Sequence, residues 1–146
     1  MESSLDTLPA LSILCVEDDN IFLDLLGISI AKKYPHFRIH TARNGKTGLQ
    51  CFQKFAPDIV ITDINMPDLD GIEMAKEIRL INGIVKFIFL SGCNDQNNLE
   101  RLNEFGCGKY LAKPINLLEL FAAIDMFAAE VGMCVLQKGT GMEGSR

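Results

Sequence analysis

The sequence predicts a doubly wound α/β domain, a five-stranded parallel sheet with helices on both faces. Five short apolar runs, at 11–16, 37–41, 59–62, 85–90 and 108–111, alternate with longer stretches of helical period. The first, third and fourth runs are apolar at most positions rather than at every second one, the pattern of strands covered on both faces. The chain has 146 residues, 48% of them apolar, which suits one domain with a substantial core. Strand followed by helix five times calls for a parallel sheet, and right-handed crossovers narrow the topology to a doubly wound one.

Leu11–Val16 is the first strand. Behind it, residues 20–31 carry Phe22, Leu25, Leu26 and Ile30 at the spacing of a buried helical stripe. Phe37–Thr41 follows as the second strand, flanked by His36 and His40, which read as surface or edge residues. Asn44-Gly45 opens a second helix with Leu49, Phe52 and Phe55 facing inward, and Ile59–Thr62 is the third strand. A third helix from about Gly71 to Leu80 buries Ile72, Ala75 and Ile78; Val85–Leu90 is the fourth strand.

The fourth helix, Asp95–Phe105, is the most polar. Only Leu99, Leu102 and Phe105 are apolar, so it should lie shallowly on the core and be the easiest element to shift. After a fifth strand at Gly108–Leu111, the last helix, Asn116–Ala129, sets Leu117, Leu120, Phe121, Ile124 and Ala128 on one face. Residues 137–146 contain three glycines and no periodicity and read as a flexible linker. The expected domain spans 11–130, with 1–10 and 131–146 as loose ends.

Fourteen Lys and Arg against nineteen Asp and Glu leave a net charge of −5, which argues against a nucleic-acid-coating protein. No run approaches the ~20 apolar residues of a membrane span, and the N-terminus lacks the basic and apolar regions of a signal peptide. The expected location is cytoplasmic, with no direct nucleic-acid partner and no membrane insertion. The five cysteines are scattered, odd in number and without a C-x-x-C, so zinc and disulfide frameworks are poorly supported. Cys15, Cys93 and Cys107 lie in or beside apolar runs and read as small hydrophobes.

Ligands of open α/β sheets bind beyond the carboxyl ends of the strands. There this sequence places Glu17-Asp18-Asp19 after the first strand, Asp63 after the third, Ser91 after the fourth and Lys113-Pro114 after the fifth. Clustered carboxylates raise one another's pKa unless a cation intervenes. Hard oxygen ligands in a site with few fixed contacts suit Mg²⁺. Lys113 supplies a mobile positive charge for a phosphate or for Asp63. Metal, carboxylate nucleophile, hydroxyl and ammonium together make a phosphoryl-transfer site. Three partial motifs fail on context. Gly45-Lys46-Thr47 lacks the first glycine of a P-loop, where His40 stands. Asp63–Asp68 begins like an EF-hand loop but then has Pro67 and Asp68 at the wrong positions. Asp68-Leu-Asp70-Gly71 resembles a phosphatase nucleophile motif but does not end a strand.

Over about residues 11–130 the chain resembles receiver domains of the response-regulator family, of the chemotaxis-regulator type. The resemblance rests on Ile13-Leu-Cys-Val-Glu-Asp-Asp19, Ala42-Arg-Asn-Gly45, Pro57-Asp-Ile-Val-Ile-Thr-Asp63, Asn65-Met-Pro67, Asp70-Gly71, Phe89-Leu-Ser91-Gly and Lys113-Pro114, in order and at family spacing. It implies a flavodoxin-like (βα)5 sheet of order 2-1-3-4-5. It further implies that Asp63 accepts a phosphoryl group from the phosphohistidine of a sensor histidine kinase or phosphotransfer protein, with Mg²⁺ as cofactor. In this scheme Asp18 binds the ion directly and Glu17 largely through water. Asp19 is a neighbour without a ligand role, although the sequence leaves that register open. The backbone carbonyl of Asn65 is the third protein ligand, which frees its side chain to tune rates, as does Cys93.

Ser91 and Lys113 pair with phosphoryl oxygens in the same scheme, the Lys113–Pro114 bond is cis, and Tyr110 occupies the aromatic switch position. Phosphorylation would draw in Ser91 and Lys113, let Tyr110 turn inward, and change a partner surface made by the fourth helix, fifth strand and fifth helix. The expected function is a phosphoacceptor regulator of a two-component phosphorelay, self-catalysing its phosphorylation and dephosphorylation, that signals to a downstream protein or a fused output domain. A partner-binding scaffold without phosphorylation, and an aspartyl-phosphate phosphohydrolase, are the competing readings.

Overall fold

The computed structural model describes residues 10–92 and 96–144, the last twelve of them by their backbone alone. Five strands, β1 (Ser12–Val16), β2 (Arg38–Ala42), β3 (Ile59–Asp63), β4 (Lys86–Ser91) and β5 (Lys109–Ala112), alternate with five helices. The helices are α1 (Asn20–Lys33), α2 (Gly45–Phe55), α3 (Gly71–Ile81), α4 (Gln96–Phe105) and α5 (Leu117–Gly144). All strand pairs are parallel and the order is β2-β1-β3-β4-β5, the doubly wound topology the sequence predicts.

The core follows from the two-residue period of the strands. Leu14, Val16, Val60, Phe87 and Phe89 point to one face and pack with Phe52 of α2, Ile72, Met74, Ala75 and Ile78 of α3, and Phe105 of α4. Their neighbours Ile13, Cys15, Ile59, Ile61, Ile88 and Leu90 point to the other face, against Leu23, Leu26 and Ile30 of α1 and Leu120, Ala123, Ile124 and Phe127 of α5. The three apolar runs are thus the central strands β1, β3 and β4, buried throughout or nearly so, while β2 and β5 form the edges. Burial pushes the Cys15 thiol up to about 12, so it stays protonated as a core side chain.

Several helical faces differ from those expected. In α1, Leu23 replaces Leu25 in the buried stripe, and Leu25 joins Ile21 and Ile28 in solvent. The segment is apolar all round, so two stripes fit its period. Phe55 is exposed, its ring stacked on His40 at 4.1 Å. Leu117 is exposed, and Ala123 and Phe127 complete the buried face of α5. Cys107 is exposed rather than packed, 3.6 Å from Arg79 Nη1. The last helix runs to Gly144 instead of Ala129. Its continuation contains Glu130, Met133, Leu136, Gln137 and Lys138, whose helix propensity carries the backbone past the periodic stretch despite several glycines, so residues 137–144, expected as a flexible linker, are helical.

Candidate functional site

The register of the sheet brings the chemistry together. Val16 pairs with Thr62, Asp63 with Leu90, and Ser91 with Ala112. The strands therefore end at one level, with Glu17, Asp63, Ser91 and Lys113 at their tips. Connections from β1 and β3 leave in opposite directions across the sheet, and the crevice between those two strand ends is where ligands of such sheets bind.

Asp63 is the last residue of β3 and is nearly buried, its backbone held where α3 begins. Gly71 makes this possible: its N–H donates to the Ile64 carbonyl at 2.8 Å, and a Cβ there would overlap the Asp63 carbonyl oxygen. Carboxylate oxygens of Glu17, Asp18 and Asp63 lie within 4.8 Å of one another, with Asp18 exposed at the mouth. Lys113 reaches in from the end of β5, its Nζ 2.9 Å from Glu17 Oε1 and 3.4 Å from Asp63 Oδ1. The Phe22 ring lies beside that ammonium, 4.9 Å from Nζ to its centroid.

Burial pushes the carboxyl groups of Glu17 and Asp63 above their ordinary range, and Lys113 pulls both back only in part. Burial works against the charge on Lys113 as well, but the hydrogen bond it donates to Glu17 and the charge of Asp63 outweigh it, so its pKa stands raised. Three carboxyl groups thus face one ammonium.

Asp19 stands apart from the cluster as the N-cap of α1. Its Oδ1 accepts from the N–H groups of Ile21 at 3.0 Å and Phe22 at 3.2 Å, and its own N–H donates to Glu17 Oε2 at 3.1 Å. Ser91 is fully buried at the end of β4, and its carbonyl accepts from the Lys113 N–H at 2.7 Å, joining the two loops. The Lys113–Pro114 bond is cis. Tyr110 is part-buried beside Phe89 and lines a cavity of about 310 Å³ between α4 and β5, with Leu99 and Leu102 opposite. Asn65 is exposed on the rim, two residues after Asp63. Cys93 lies outside the described residues.

Some contacts around the site were not anticipated from the sequence. Asp70 caps α3 in a capping box with Glu73, a Asp-x-x-Glu signature that the sequence does display. Asn98 and Arg101 of α4 turn toward the site: Asn98 Nδ2 donates to Asn65 Oδ1 at 3.1 Å, and Arg101 pairs with Asp70 at 2.8 Å. On a polar helix such residues look like a solvated face, and no spacing marks them out.

The sequence profile of the response regulator receiver domain matches residues 13–125. The uncharacterized transcriptional regulatory protein YesN of Bacillus subtilis is 32% identical over 120 residues, covering 82% of this chain and 33% of its own. A response regulator receiver domain protein from Clostridium thermocellum matches in structure with a TM-score of 0.75 at 28% identity, over 85% of this chain and 98% of that one. The receiver domain of Saccharomyces cerevisiae Ssk1, solved with the histidine phosphotransfer signaling protein Ypd1, matches with a TM-score of 0.73 at 26% identity, over 86% and 94% of the two chains. The chain spans about half or less of the length of the curated relatives it matches.

Proposed function

The chain belongs to the response regulator receiver domain family of two-component signalling, and from that premise we propose that Asp63 is the phosphoacceptor of a two-state switch. The observation that carries this reading is the cluster itself: Asp63 with Glu17 and Asp18 inside 4.8 Å, and Lys113 bridging Glu17 and Asp63. A carboxylate oxygen of Asp63 attacks the phosphorus of a phosphohistidine. The phosphorus–nitrogen bond breaks, and its electron pair returns to the imidazole.

Lys113 pairs with a phosphoryl oxygen as the group arrives. It is already the cation nearest Asp63, so little reorganisation is needed. The buried Ser91 hydroxyl donates to another phosphoryl oxygen. Three carboxylates against one ammonium make a donor set that fits Mg²⁺, which Asp18, Asp63 and the Asn65 backbone carbonyl would hold, Glu17 acting largely through water. When bound, that ion neutralises charge on the transferring group.

The phosphoryl group adds roughly −1.5 to −2 charge beside residues already rich in it. It draws Lys113 away from Glu17 and pulls Ser91 inward, and Tyr110 turns into the space. The surface of α4, β5 and α5 then changes for a downstream protein or output domain. Ssk1, captured with a phosphotransfer protein, supports a phosphohistidine donor. Among the described residues no helix is long and apolar enough to cross a membrane.

Incubation with acetyl phosphate and Mg²⁺ should label the wild-type chain at Asp63, and Asp63→Asn should take no label. Labelling of Asp63→Asn at wild-type stoichiometry overturns the assignment. A wild-type chain that takes no label is a scaffold, and one that turns acetyl phosphate over rapidly is a phosphohydrolase.

A further inference from the structure

A chain of polar contacts joins α4 to the rim of the site. Asn98 is only 3% exposed although it lies on the most polar helix. A buried amide is costly unless it is bonded. Asn98 Oδ1 accepts from Arg101 Nη1 at 3.3 Å, and Asn98 Nδ2 donates to Asn65 Oδ1 at 3.1 Å. Arg101 is fixed in turn by Asp70, its Nη2 lying 3.1 Å from one carboxylate oxygen and 2.8 Å from the other. Asp70 is immobilised as the N-cap of α3.

The polarity of this relay follows from its anchor. A guanidinium can only donate, so Asn98 must face Arg101 with its carbonyl oxygen and Asn65 with its amide. Asn65 must then face Asn98 with its own carbonyl oxygen. That bond fixes the direction in which the Asn65 side-chain oxygen points.

We infer that Asn98, anchored through Arg101 to Asp70, is a positioning residue that slows dephosphorylation of Asp63 by engaging the side-chain carbonyl of Asn65. The inference rests on Asp63 being the phosphoacceptor. In hydrolysis a water oxygen bonds to phosphorus, and the bond from phosphorus to the Asp63 carboxylate oxygen breaks. That oxygen keeps the electron pair, and the proton lost by the water leaves on inorganic phosphate. An acceptor two residues from Asp63 can align the attacking water, and the relay holds that acceptor turned toward α4. Because Asn98 rides on α4, displacement of that helix and release of the Asn65 carbonyl are one event. The lifetime of the acyl phosphate is thereby tied to the position of α4.

The test uses the full 146-residue chain, labelled with acetyl phosphate and Mg²⁺ and then freed of donor by desalting. Decay of the acyl phosphate in Asn98→Ala is expected to be about five-fold faster or more, the low end of typical coupling between sites. Arg101→Met leaves Asn98 in place but unanchored and shifts decay the same way by less. Adding Asn65→Ala to either variant returns decay toward the wild-type rate, a dependence that a merely structural role would not produce. Wild-type decay in both Asn98→Ala and Arg101→Met, or fast decay that persists when Asn65 is also replaced, overturns the inference. Labelling at Asp63 in that case leaves the proposed function standing. Absence of label in the wild-type chain overturns both. Should Asn98→Ala fail to fold, Arg101→Met with and without Asn65→Ala decides the matter.

Discussion

Helices α3 and α4 lie side by side on one face of the sheet and are held there by different forces. α3 buries Ile72, Met74, Ala75 and Ile78, begins in a capping box and touches the backbone of Asp63 through Gly71. α4 buries only Asn98 and Phe105. Leu102 packs part-buried against the same core, and the other attachments are directional and polar: Asn98 to Asn65, Arg101 to Asp70, and Arg79 of α3 to the carbonyl of Phe105 at 2.6 Å, with the guanidinium 3.7 Å from the ring. Apolar packing resists displacement because every shift opens a void. Hydrogen bonds to charged groups can be exchanged for others of similar strength. The helix fixed by packing carries the frame of the site, and the helix fixed by exchangeable bonds is the one able to move.

The sharpest way to break that contrast is to hollow out each helix in turn. Ile78→Ala should cost about 2–5 kcal/mol in urea unfolding, the usual penalty for truncating a fully buried aliphatic side chain. Leu102→Ala, only part-buried on α4, should cost well under half as much; equal costs would show that α4 is anchored in the core after all. Gly71→Ala should come next, at roughly 1–3 kcal/mol, because the added methyl must push α3 off the Asp63 carbonyl. It should also slow labelling of Asp63 by acetyl phosphate, and a normal labelling rate would mean that α3 does not frame the site. The smallest effect is expected from Arg79→Ala, about 1 kcal/mol overall. Amide exchange should quicken in the last turn of α4 and remain unchanged in α3; a uniform change in both would remove the distinction.

Most of the scaffold was legible because its signals are strong and local. The three central strands announce themselves as mostly apolar, non-alternating runs, and their edges fall within one residue of the expected positions. Glu17, Asp18, Asp63, Ser91 and Lys113 were identifiable because strand ends share one rim. Fine orientation was less so. In α1, Ile21, Leu25 and Ile28 form an apolar stripe as regular as the buried one, and period alone could not choose between them. The sequence leaves the register of Asp18 and Asp19 open, and the cap bonds from Ile21 and Phe22 give Asp19 a structural task of its own. Asn98 and Arg101 were invisible because their partners lie 33 and 31 residues away, and a polar contact at that separation has no sequence period.

The position of β5 has a mechanical consequence. β3, bearing Asp63, is stitched to β1 on one side and β4 on the other, whereas β5 is four residues long and bonds only to β4. A strand with a single neighbour can tilt while loosening one ladder; an interior strand must loosen two. Tyr110 sits on β5 and Lys113 just beyond its end, so both residues ride on the sheet's most compliant edge while the carboxylate they would answer to is clamped at its stiff centre. The sheet works as a vice with one fixed jaw and one that can travel.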